Sequence, residues 1–193
     1  MKRFLAILLV CLTLCAVCAM GASAAGGFNA NAVQECIFLN DTKSSTWGHC
    51  GMVLVDQNGA GRLYSYQTGG LYAATLSSAQ LTQFLKDGLI PNAISDFQFN
   101  KALRFNILPE EGRRMYDYAE THEFKEFFMY SSFFKPIGIT WGDNCLTFVR
   151  AVMMEGSSKY AFLYPFGLPA FTFFTLRMHL GLRGVSCTTY SPG

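Results

Sequence analysis

A cysteine in the first turn of a helix is a natural nucleophile, and the stretch WGDNCLTFVRAV, Trp141 to Val152, places one there. Asp143 or Asn144 can accept the orphan amide hydrogens of a helix that begins at Cys145. Leu146, Val149, Val152 and Met153 then share its apolar face, and Gly156 closes it. A thiolate attacks far better than a thiol, and the unpaired amides and dipole of a helix start favour the anion. The same amides can hold an oxyanion forming on a carbonyl under attack. What this position does not supply is a base, which for cysteine-dependent acyl transfer is normally a histidine.

The chain has three histidines. His122 lies in a charged helical stretch beside Thr121 and Glu123, and His179 lies in TLRMHLGL, where a core or helix-end imidazole is expected. His49 differs: it follows Trp47-Gly48 and opens a strand, which makes it the candidate base. Cys145 has a structural alternative, because Cys36, Cys50, Cys145 and Cys187 could form two bridges in an exported chain.

The elements that must position these residues read as follows. CGMVLVDQNGAGRLYSYQ, Cys50 to Gln67, is two β-rich runs around Asn58-Gly59, a strong hairpin signal, with Gly69-Gly70 ending the second run. SSAQLTQFLKDG, Ser77 to Gly88, is a serine-capped helix with Leu81, Phe84 and Leu85 on one face. FQFNKALRFNILP alternates as a strand ending near Pro109, and that proline opens a helix over PEEGRRMYDYAETHEFKEFF whose spread of charge predicts a solvated outer position. MYSSFFKPIGITWG is too irregular to assign. Ala161 to Gly184 reads as a loop punctuated by Pro165 and Pro169, then a core or groove-lining helix, with a lipid-contacting aromatic surface as the alternative.

Lys2-Arg3, an apolar run from Phe4 to about Met20 and Gly21-Ala22-Ser23-Ala24 have the layout of a secretory signal peptide, residues 1–24. The protein is therefore expected outside the cytoplasm, secreted or periplasmic. Losing Lys2 and Arg3 leaves 13 Lys+Arg against 13 Asp+Glu, a formally neutral chain with no basic excess or basic stripe to grip nucleic acid or anionic lipid. Residues 25–193 suit a single domain. No uninterrupted apolar span follows the leader, and no metal-ligand or phosphate-loop motif is present, so neither a transmembrane segment, a metal nor a cofactor is expected.

GHCGMVLV, then a hairpin with GRLYSYQ, then NCLTFVRAV much later, resembles the circularly permuted branch of the papain-like fold. That branch includes permuted bacterial cell-wall peptidases and amidases and the lecithin:retinol acyltransferase group. The resemblance spans about Trp47 to Gly156. It implies an α+β fold in which a small antiparallel sheet with a β-hairpin packs against the cysteine helix, with Cys145 as nucleophile, His49 as base and Asn144 just before the nucleophile. On the second strand it puts Ser65 where a histidine, glutamate, asparagine or glutamine is more usual. Serine can orient an imidazole without stabilising its cation as a carboxylate does. Hairpin register decides the third member: a two-residue turn puts Tyr64 and Tyr66 on the face of His49, a three-residue turn puts Ser65 there.

The function so implied is thiol hydrolysis of amide bonds in peptide or cell-wall substrates through an acyl-enzyme. A lipid acyl hydrolase or acyltransferase keeps the chemistry and changes the substrate. A non-catalytic, disulfide-stapled secreted or toxin-associated module is the alternative from another class.

Overall fold

The structure, a computed structural model, describes residues 27–43, 48–89, 98–123, 143–162 and 169–192. The leader, residues 1–24, Trp47, Trp141 and the aromatic connection over 129–142 lie outside them. Strands β1 (Val33–Asp41), β2 (His49–Asp56), β3 (Gly61–Gln67) and β4 (Gly70–Leu76) are followed by helix α1 (Ser78–Asp87). Then come β5 (Lys101–Asn106), α2 (Pro109–Thr121), α3 (Cys145–Gly156), α4 (Pro169–Leu182) and β6 (Cys187–Tyr190). The six strands form one sheet, ordered β4-β3-β2-β1-β5-β6 and antiparallel throughout. The protein is thus α+β, with four α-helices among the described residues.

Sequence alternation sorts the sheet into two cores. Cys36, Phe38, Cys50, Met52, Leu54, Tyr64 and Tyr66 face α3, where they pack with Phe148, Val149 and Val152. Ile37, Leu39, Val53, Val55 and Leu63 face the other way and bury Leu81, Phe84 and Leu85 of α1. A strand buried on both faces loses the polar alternation that marks a surface strand, and β1 accordingly reads CIFL at its centre. The predicted hairpin does pack on the cysteine helix, with the Tyr66 ring stacked on Phe148 at 5.8 Å.

The hairpin takes the three-residue form. Val55 pairs with Gly61, Asp56 N–H donates to the Ala60 carbonyl at 2.9 Å, and Gly59 adopts the left-handed φ of 78° that this loop requires. The Asp56 carboxylate holds the turn by accepting the Asn58 and Ala60 amides.

Gly69-Gly70 ends the second run of the hairpin as expected, β3 stopping at Gln67, and Gly70 opens a further strand, β4. One expectation needs correction. The helix from Pro109 ends at Thr121, and it is not solvated all round. Met115 and Ala119 are buried, and so is Glu111, which accepts the Tyr160 hydroxyl at 2.7 Å and pairs with the Lys159 ammonium at 2.7 Å. A charge is tolerated there because each carboxylate oxygen has a donor. Its remaining stretch from residue 124 lies outside the described residues.

Candidate active site

Cys145 begins α3 because Asn144 is an effective cap. The Asn144 side-chain oxygen accepts the amides of Leu146 and Thr147, both at 3.0 Å, while Thr147 Oγ1 accepts the Asn144 amide at 2.9 Å. Asp143 takes the adjoining role, accepting the Thr147 hydroxyl at 3.1 Å. The cap engages the second and third amides of the helix and leaves the Cys145 N–H, the one nearest the sulfur, outside it.

The ladder between β2 and β3 runs from Val55–Gly61 only as far as Met52–Tyr64. Beyond that pair the start of β2 and the end of β3 are held by their outer neighbours, β1 and β4. The sulfur of Cys145 meets the protein there, beside Cys50 and His49, both of which favour its thiolate. His49 Nε2 in turn lies 2.8 Å from Ser65 Oγ, and Gln67 Nε2 donates to the same oxygen at 3.1 Å. The structure therefore brings Cys145, His49 and Ser65 into one chain of contacts. Ser65, on the face of His49, makes that contact; Tyr64 and Tyr66 point to the α3 core. The Tyr64 hydroxyl donates instead to Glu120 at 2.8 Å.

All four cysteines of residues 25–193 are free thiols, so the bridges of a stapled module are absent. Their environments differ in sign. Burial pushes the Cys36 thiol up, and burial together with the neighbouring Cys145 sulfur pushes Cys50 well up; burial also raises Cys187. Cys145 is held well below the usual thiol range, first by the Cys50 side-chain hydrogen bond and then by His49 and the Cys50 backbone amide, against burial, which raises it.

The other histidines have structural partners. His122 caps α2 and stacks on Tyr118, rings 4.4 Å apart, and His179 Nε2 lies 2.9 Å from the Lys159 carbonyl. Among the described residues no group of three or more His, Cys, Asp or Glu could hold a metal.

Reading the sequence for a base overlooked three neighbours: Cys50, weighed only as a bridge partner, Gln67 and Asp41. Asp41 is buried and stands directly opposite His49 in the β1–β2 ladder, on the same side of the sheet. Adjacency to His49 in the chain could have flagged Cys50; Asp41 needed the β1 register, which no local pattern supplies. No protein-family model, no curated protein and no solved structure matches this chain.

Proposed function

We propose that the protein is an exported cysteine-dependent hydrolase of amide bonds, built on the permuted papain-like plan, and that Cys145, His49 and Ser65 carry its chemistry. The observation behind this reading is the continuous contact chain Cys145–His49–Ser65, ending at the one thiol of four that its surroundings push toward the thiolate. The order of strand histidine before helix cysteine, and the capped helix start, agree with the resemblance. Export rests on the character of residues 1–24.

With Nε2 facing Ser65, the nitrogen left for the thiol is Nδ1. In the proposed cycle His49 takes the Cys145 proton, and the sulfur attacks the substrate carbonyl carbon. The Cys145 N–H donates to the oxyanion. The imidazolium then protonates the departing amine as the carbon–nitrogen bond breaks, leaving a thioester. Water, losing its proton to His49, attacks that thioester and releases the carboxylic acid and the thiol. Ser65 accepts the Nε2 hydrogen throughout and fixes the ring plane, a positioning role.

Alkylation by iodoacetamide at about pH 6, read by mass spectrometry of the unreduced protein, tests the pair directly. Cys145 is expected to react ahead of Cys36, Cys50 and Cys187, and to slow in His49→Ala. A Cys145 no faster than its neighbours, or one indifferent to His49, overturns the proposal. Peptide amides and acyl-lipid esters assayed side by side then separate the two substrate classes.

A further inference from the structure

α4 carries apolar residues on two opposite sides. It buries Thr172, Leu176 and Leu180, the two leucines joining the α3-side core. Phe171, Phe174, Met178 and Leu182, three, four and four residues apart, fall in one row on the opposite side, with Phe174 70% and Leu182 81% exposed. A helix packed on one face of a water-soluble domain normally turns charge outward; this one turns outward two aromatic rings, a thioether and a leucine.

The charge around the row has one sign. No aspartate or glutamate follows Glu155 in the sequence, whereas Arg177 directly precedes Met178 and Arg183 directly follows Leu182, both exposed. The row also has a defined place relative to the site. Phe173 lies under the Lys101 ammonium, 5.8 Å away; Lys101 pairs with Asn40, and Asn40 with Cys50. The first turns of α4, with Phe171 and Phe174, therefore stand at the end of the sheet that carries His49 and Cys145.

We propose that the outward face of α4 docks on an anionic phospholipid surface, the helix lying in the interface with its four apolar side chains among the acyl chains and its arginines at the headgroup phosphates. A single convex row of four side chains is small beside the roughly 800 Å² per partner that a stable protein interface needs. An interfacial helix needs only such a row and neighbouring cations. Docking does not depend on the thiol chemistry, but it sets the catalytic end of the sheet beside the membrane plane.

The test is co-sedimentation of the full chain with vesicles of phosphatidylglycerol and, separately, of phosphatidylcholine. Wild type is compared with Phe174→Ser/Leu182→Ser and with Arg177→Gln/Arg183→Gln, so that any binding by the apolar residues 4–20 is common to all. The serine pair is expected to weaken binding to phosphatidylglycerol at least about tenfold, and the glutamine pair to erase the preference for it over phosphatidylcholine. Thermal unfolding checks that each variant folds; if the serine pair does not, the lipid preference of the glutamine pair decides. Unchanged binding and preference in the folded variants, or no binding by wild type, overturns the proposal. So does a concentration-dependent dimer that the serine pair abolishes, since a second copy would then cover the row. None of these variants touches His49 or Cys145, so cleavage of a soluble substrate should be unaffected, and failure of docking would leave the hydrolase reading standing.

Discussion

At Cys145 three local effects meet: a helix start, the neighbouring Cys50 and an imidazole, with burial opposing all of them. Only the thiolate alkylates, so the rate of Cys145 modification should stay high below the ordinary thiol range and fall as pH drops through the depressed value. In Cys50→Ala the largest of the stabilising contacts is gone, and the fall should move to higher pH; an unmoved profile would show that Cys50 does not support the anion. Removing the proposed proton acceptor altogether, in His49→Ala, should lower turnover by about 10²–10⁴-fold. Ser65→Ala should cost nearer tenfold, the worth of one hydrogen bond, and should appear in kcat more than in KM because the hydroxyl acts through His49.

Among the elements, α3 depends on the residue that caps it, and α2 on a glycine where it packs against β1. Asn144→Ala removes the acceptor of two helix amides, and the expected loss is about 1 kcal/mol, up to about 2, in urea unfolding. Gly112 sits in α2, where alanine would ordinarily improve the helix by up to about 1 kcal/mol. Here an added Cβ would lie 2.7 Å from the Val33 Cβ and 2.9 Å from the Val33 carbonyl oxygen. Backbone cannot yield as a side-chain tip can, so Gly112→Ala should destabilise by about 1–3 kcal/mol, and a stabilised variant would mean that α2 is free to shift away from β1.

Across the whole molecule, Glu111 ties α2 to the turn after α3 through Tyr160 and Lys159. Burial pushes its carboxyl up, but the Lys159 and Tyr160 hydrogen bonds and the Leu108 amide outweigh that and hold it below the usual glutamate range. A depressed carboxyl contributes stability that is complete above the unfolded-state value and is lost as pH falls through the folded one. Wild type should thus lose stability between neutral pH and about pH 3 more steeply than Glu111→Gln, whose neutral amide has no such titration. Equal acid slopes in the two proteins would remove Glu111 from the account. The same scale holds the contrast between α2, whose outward face is charged, and α4, whose exposed row of Phe171, Phe174, Met178 and Leu182 is apolar.

Local chemistry is written locally, and this part of the protein was legible in its residues. The serine-capped α1 ends at Gly88 in the left-handed conformation, as its glycine implies, and Asn144 caps α3 as its side chain allows. The hairpin was legible as a hairpin, but its register was not. Two- and three-residue turns satisfy Asn58-Gly59 equally, and a buried carboxylate at Asp56, with partners as distant as Asn29, selects the longer one. β1 at the sheet centre, β4 and β6 went unread: a run buried on both faces carries no alternation, and an edge strand is defined by what it pairs with. The burial of Glu111, the meeting of Cys50 with Cys145 and the place of Asp41 beside His49 were decided by tertiary structure alone. Each joins residues tens of positions apart or set by ladder register, and no spacing rule along one strand or helix encodes a distance across the sheet.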